Sequence, residues 1–213
     1  MTRAGLPGGG QARPEAGAAE ADPDVQLMLQ VQQGQEHAFP ELFRRLGPRV
    51  LQYVRRLVGH EARAEEITQD VFVQIYRFRQ RYRPESKLST WVFTIATNLC
   101  LNELRRPERQ LRVDLWEPRT DESQGRQDRE GPPLPDPDAI DPEEGAASLE
   151  LARAIEAAVA ALPPKQRAAL LLSRLDGMAY RDVADALGTT EGAVKALLFR
   201  ATHGLRDRLR DFL

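Results

Sequence analysis

The chain has 213 residues, of which 41% are hydrophobic and 29% charged, with a formal net charge of −2. That length suits one large domain or two small ones, and a charge so near neutral names no partner by itself. The single cysteine, Cys100, excludes a disulfide framework and a cysteine-based metal site; no apolar run reaches membrane-spanning length and the start lacks a signal-peptide core, so the chain reads as cytoplasmic, without membrane insertion.

Charge is distributed unevenly. Residues 1–21 sum to zero, 22–106 to +3, 107–148 to −7 and 149–213 to +2, which recovers the net −2. Two mildly basic blocks joined by an acidic strip suit surfaces that face phosphates and a connector that phosphates repel. Residues 1–21, rich in Gly, Pro and Ala, have no apolar periodicity and read as a disordered tail.

Helical spacing starts at "DPDVQLMLQVQQG", with Val25, Met28, Leu29 and Gln32. It continues in "HAFPELFRRLGPRVLQYVRRLVG", where Phe39, Leu42, Phe43, Leu46, Val50, Tyr53, Val54 and Leu57 recur every three or four residues and Gly59 marks the stop. A third helix, "EARAEEITQDVFVQIYRFRQ", carries the apolar stripe Ile67, Val71, Ile75 and Phe78, with Glu66, Gln69, Asp70, Val73 and Arg77 opposite. The fourth, "STWVFTIATNLCLNELRR", is expected to bury Val92, Ile95, Ala96 and Leu99. Trp91, Asn98, Asn102 and Arg105 then follow spacings of seven, four and three along another stripe, beside Thr94. A ring, two amides and a cation suit unpaired bases and their backbone; an ordinary surface helix with a half-buried tryptophan has the same pattern.

Residues 107–148 hold seven prolines and no sustained helical period, and are expected to form a flexible, extended linker. Helical patterning returns over 149–213. "SLELARAIEAAVAAL" spaces Leu151, Ile155, Ala158, Val159 and Leu162, and "PPKQRAALLLSRLDG" opens on proline and ends at Gly177. Next, Val183, Ala184 and Leu187, with Tyr180 a turn earlier, share one face of a short helix. Gly188 permits a sharp turn, Thr189 or Thr190 caps the following helix, and Val194, Leu197, Leu198, Ala201 and Leu205 continue the buried stripe. Ala184, Gly188 and Val194 fit a helix-turn-helix, whose second helix would enter the DNA major groove with Thr190, Glu191, Lys195, Ala196, Phe199 and Arg200 facing outward. An αα-hairpin with a solvated face fits the same spacing.

No period-two alternation appears, so the expected fold class is all-α: two small helical domains (22–106 and 149–213) joined by a flexible linker, the carboxy-terminal one a helix-turn-helix. In this order the segments resemble the bacterial RNA polymerase sigma factors, specifically the extracytoplasmic-function branch. "AEEITQDVFVQIYRF" resembles the family's polymerase-binding helix, "KLSTWVFTIATNLCLNELRR" its promoter-melting and minus-ten reading segment, and "LPPKQRAALLLSRLDGMAYRDVADALGTTEGAVKALLFRA" its promoter-binding carboxy-terminal domain.

The resemblance implies a protein that is not an enzyme, needs no cofactor, binds core RNA polymerase, directs it to promoters and helps open the duplex. Glu66, Gln69, Asp70, Val73 and Arg77 would face the polymerase clamp helices. Asn98, assisted by Asn102, would hold a flipped base of the minus-ten element, with Arg105 and Arg106 on phosphates and Trp91 near the melted junction. Thr190, Glu191, Lys195, Ala196, Phe199 and Arg200 would meet the minus-thirty-five element as duplex. Leu197, Thr202 and His203 stand where basic residues are frequent in the family, which implies fewer phosphate contacts and a shallower salt dependence. The acidic linker would either lie in a basic channel of the polymerase or act as a solvated tether. An anti-sigma factor is a further partner that the resemblance admits. A classical helix-turn-helix regulator would leave the Asn98/Asn102 stripe unexplained, and a protein-only adaptor would leave the Ala184–Gly188–Val194 arrangement unexplained.

Overall fold

The computed structural model describes residues 22–84, 87–105, 142–174 and 177–212, with side chains of the third segment from 148 and that of Asp211 excepted. The expected tail, most of the expected linker and Arg106 lie outside these residues. Among the described residues every regular element is helical: α1 Pro23–Gln32, α2 Ala38–Val58, α3 Glu61–Phe78, α4 Leu88–Leu104, α5 Pro142–Ala160, α6 Pro164–Arg174, α7 Tyr180–Leu187 and α8 Glu191–Arg208, with 3-10 turns at Arg79–Arg81 and Arg210–Phe212. One boundary differs from expectation. α5 begins at Pro142, inside the stretch read as linker, because proline suits a first helical turn, where its missing N–H has no intrahelical partner to lose.

Local chemistry sets the helix ends. The Asp22 carboxylate accepts from the Asp24 N–H at the start of α1, and the His60 ring accepts from the Arg63 N–H at the start of α3. Gly59 ends α2 in the left-handed region (φ 78°), donating its N–H to the Arg55 carbonyl. Gly188 does the same between α7 and α8 (φ 59°), and the Thr190 hydroxyl then accepts from the Ala193 N–H.

α2, α3 and α4 pack on one another, and α1 lies across α2. Their shared interior holds Met28, Leu42, Val50, Tyr53, Val54, Leu57, Val71, Ile75 and Phe93, all nearly or wholly buried. Tyr53 and Thr97 hydroxyls meet at 2.8 Å inside it, which satisfies two polar groups where water cannot reach. In the carboxy-terminal half α6, α7 and α8 enclose Ala168, Leu172, Val183 and Val194. The halves touch: α7 and α6 pack against α4, α6 also meets α2, and one apolar cluster runs through both.

That contact explains where the pattern of α4 departs from expectation. Val92 and Ala96 are buried, but Ile95 and Leu99 are only half-buried, while Phe93, Thr97, Cys100 and Leu101 lie inside. A helix covered from several directions buries most of its circumference, so no single stripe describes it. Other stripe residues also come out. Phe43 is 45% exposed, Tyr180, Ile155 and Leu151 face solvent, and Phe78 is half-buried.

Gly188→Ala tests the turn. A Cβ there meets nothing within 4 Å, so the penalty is backbone strain alone, about 1 kcal/mol, or a Tm lower by roughly 2–4 °C in a chain this size, read by thermal melting.

Candidate functional surfaces

Three surfaces carry the residues singled out above. The first is the outer face of α3. Glu66, Gln69, Asp70, Val73 and Arg77 are all exposed there, and Val73 is 62% exposed despite being apolar. Beside them runs a groove of about 610 Å³ lined by Phe39, Phe43, Gln69, Phe72, Val73, Tyr76, Arg77 and Arg79. Its aromatic wall is ordered edge to face: Phe43 on Phe72 at 4.6 Å and Phe39 on Tyr76 at 5.1 Å between ring centres. The Arg79 guanidinium covers Tyr76 at 4.2 Å from its ring centre. Phe39, Phe43 and Tyr76 were not recognised from the sequence as belonging to this surface. The available signal was the width of the apolar arc on α2, where Phe39 and Phe43 add to Leu42 and Leu46 more apolar positions than one stripe needs.

The second surface is α4. Between Leu88 and Leu104 the exposed side chains are Asn98 and Asn102; every other one is buried or half-buried. Arg105, exposed, continues their line at the helix end, and Thr94 lies half-buried beside it. Trp91 joins the row only partly. Its ring sits 5.3 Å from that of Tyr82, so its inner side is packing and its outer edge is free. Tyr82 is held by Gln32, whose side-chain amide donates to the Arg79 and Tyr82 carbonyls at 2.7 and 3.0 Å. Burial pushes the Tyr82 hydroxyl up to about 12, so it stays protonated beside the tryptophan.

The far end of α4 is fixed by charge. Glu103, 6% exposed at its side chain, accepts from Arg63 Nη2 at 2.7 Å, and Arg63 also pairs with Glu66. The hydrogen bonds to Glu103 and Glu66 raise the Arg63 pKa, so this guanidinium is charged at any working pH. Glu66 therefore faces both ways: it lies on the exposed α3 surface and steadies the cation that grips α4. Arg106 falls outside the described residues.

The third surface is the outer face of α8. Thr190, Glu191, Lys195, Ala196, Phe199 and Arg200 are all exposed, and Phe199 is 73% exposed. The Phe199 ring stacks on His203, 6.3 Å between centres and 8° from parallel, and His203 reaches Asp207 at 3.7 Å. α8 is set by Gly188 and Val194 against α7, with its outer face exposed from the first turn. Among the described residues no group of His, Cys, Asp and Glu could hold a metal ion, and no helix is long and apolar enough to cross a membrane.

Removing the Glu103 carboxylate should leave Arg63 half-paired in a confined place. Glu103→Ala is expected to destabilise the chain by about 2 kcal/mol, lowering Tm by roughly 4–8 °C, and a salt-independent melt would show that the pair is shielded from solvent.

Comparison with known proteins accounts for both halves. The family model described as Sigma-70 region 2 matches residues 42–110, and that described as Sigma-70, region 4 matches residues 152–202. The chain is 31% identical over 184 residues to the RNA polymerase sigma factor CarQ of Myxococcus xanthus, covering 86% of this chain and 96% of that protein. It is 28% identical over 182 residues to the ECF RNA polymerase sigma factor SigW of Bacillus subtilis, covering 85% and 94%. Among solved structures, CnrH in complex with the cytosolic domain of CnrY shares the fold, with a TM-score of 0.62 at 23% identity over 89% of this chain and 99% of that one. Two matched regions in the right order, an all-helical fold and relatives aligned over nearly their whole length place this chain among the RNA polymerase sigma factors of the extracytoplasmic-function branch, proteins that are not enzymes but direct RNA polymerase to promoters to start transcription.

Proposed function

We propose that the three surfaces divide the work of transcription initiation. The α3 face, with Glu66, Gln69, Asp70, Val73 and Arg77, is the docking surface for core polymerase, and the adjoining Phe39–Phe43–Tyr76 groove extends it. α4 reads the minus-ten element: Asn98 and Asn102 hydrogen-bond the edge of a base turned out of the duplex, Arg105 and Arg106 hold its backbone, and the free edge of Trp91 borders the melted junction. α8 reads the minus-thirty-five element as duplex, with Lys195 and Arg200 on bases or phosphates. There Glu191 accepts from a cytosine, Phe199 meets a thymine methyl, and Thr190 and Ala196 complete the contact. Residues 22–106 and 149–213 are the corresponding domains, and the protein acts in the cytoplasm, where the polymerase is.

The observation that carries this reading is the exposure of Asn98 and Asn102 on a helix otherwise withdrawn from solvent. Two amides a turn apart, with Arg105 one turn on, form a narrow polar strip on a rigid support. An amide offers a donor and an acceptor to a base edge, and a support packed on several sides holds it in register. On α8, a protruding aromatic ring on a helix placed for groove entry has the same sense. A solved structure of the same fold holds the sigma factor RpoE in complex with the anti-sigma factor NepR from Bartonella quintana, and a partner of that kind for this chain belongs to the proposal.

Asn98→Ala should reduce open-complex formation by about ten- to a hundredfold with core-polymerase affinity unchanged, measured by permanganate footprinting beside a binding titration; unaltered opening removes the base-pocket role. Lys195→Ala should weaken binding to the minus-thirty-five duplex uniformly across sequences and flatten the slope of log K against log salt by about 0.9. A slope equal to that of the unaltered chain would take Lys195 off the phosphates.

A further inference from the structure

Thr202 and His203, which stand where basic residues are frequent in the family, both act on one neighbour. Phe199 is 73% exposed on the outer face of α8. Its ring lies near-parallel to that of His203, 8° apart and 6.3 Å between centres. Thr202 donates its hydroxyl to the Leu198 and Phe199 carbonyls at 2.5 and 3.1 Å. One turn further on, the Asp207 carboxylate stands 3.7 Å from His203 Nε2. Residues 199, 203 and 207 are successive turns of one row, in which each side chain backs the one before it.

An exposed phenylalanine ordinarily moves among several rotamers, and a ring that is fixed only on binding loses part of what the contact gains. In this chain the ring is held beforehand. Helical side chains lean toward the amino terminus, so Phe199 lies over the turn that carries Lys195 and Ala196, and the His203 ring stands behind it. Ala196 is exposed and adds only a methyl group beside that ring. Ring and methyl together make a small apolar notch between the cations Lys195 and Arg200. A notch of that chemistry suits the one apolar group that a base edge presents in the major groove, the thymine C5 methyl.

The other use of His203, as a donor to a phosphate, suits it less well. Its Nε2 faces the Asp207 carboxylate, and its flat side is turned to Phe199. A phosphate arriving there would meet a like charge before it met the imidazole.

We infer that His203 is a positioning residue for thymine recognition: it holds the Phe199 ring against the methyl group of one thymine in the minus-thirty-five element, acting through that ring and not on the DNA itself. The inference rests on α8 reading that element. Its test uses holoenzyme assembled from the full chain and core polymerase, which selects duplexes from a pool randomised over both promoter elements. The unaltered chain should choose thymine at one minus-thirty-five position, and deoxyuridine there should weaken binding about fourfold, the worth of one buried methyl group. His203→Ala and His203→Gln should cut that ratio below about twofold, because the ring contact is gone, and leave the preferences at other positions unchanged. His203→Phe, which keeps a ring and has no nitrogen, should retain the full ratio. The His203 side chain is 67% exposed, so all three variants should fold, with helical circular dichroism as the check. Indifference to the methyl at every selected thymine, an undiminished ratio in His203→Ala, or a His203→Phe chain as indifferent as His203→Ala would each overturn the proposal. A pool that yields no minus-thirty-five preference of any kind would overturn the α8 reading as well. Preferences that persist with no thymine depending on His203 would remove the role of His203 alone.

Discussion

Everything in this molecule is arranged around the burial of α4. The helix is apolar around most of its circumference, and no single neighbour can cover it. α2 reaches it through the Tyr53–Thr97 hydroxyl pair and the Tyr53–Phe93 ring contact, α3 through Arg63 and Glu103, and the carboxy-terminal half through α7 and α6. What remains uncovered is a strip one residue wide. A helix so constrained cannot rotate to relieve a poor contact, because any rotation buries an amide and exposes a leucine or phenylalanine. Burial of the other faces thus fixes the backbone from which Asn98 and Asn102 project, and with it their spacing and direction.

The same constraint ties the three surfaces to one another. Glu66 lies on the outer face of α3 and shares Arg63 with Glu103 of α4. Anything that draws Glu66 toward a partner loosens one of the two carboxylates on that cation, and the other is the one that fixes α4. Tyr82 links the turn after α3 to Trp91 at the opposite end of the same helix. The outer face of α3 and the Asn98/Asn102 strip are therefore mechanically adjacent, separated by one arginine at one end of α4 and one tyrosine at the other.

Much of this was legible in the sequence, for identifiable reasons. Where a helix has one buried face, periodicity finds it: the stripe Ile67, Val71 and Ile75 lies inside, and the residues placed opposite it lie outside. Turn chemistry was equally readable, since the left-handed conformations of Gly59 and Gly188 and the Thr190 cap are local properties. Periodicity failed where burial comes from elsewhere in the chain. Thr97 reads as polar but is satisfied by Tyr53; Leu101 lies off the expected stripe of α4 yet is buried; Phe43 reads as core but forms the wall of an open groove. Arg167 of α6, whose guanidinium donates to the Leu57 and Leu162 carbonyls at 2.9 and 3.0 Å, gives no sequence signal at all, because carbonyls have no residue type. The amide strip, by contrast, was visible as a spacing because α4 stays regular from Leu88 to Leu104.

The long sequence separation between α4 and α7 also has a consequence for how the protein is made. The first four helices can close most of their own core as soon as α4 leaves the ribosome. The part of α4 that meets α7 cannot be covered until the chain has grown by about 80 more residues, which at roughly 5–20 residues per second takes about 4–16 s. During that interval a nascent chain displays an apolar helix face with an acidic, proline-rich stretch of sequence directly behind it. Charge and proline are the composition that opposes the β-pairing and collapse through which exposed apolar segments aggregate, and residues 107–141 have it.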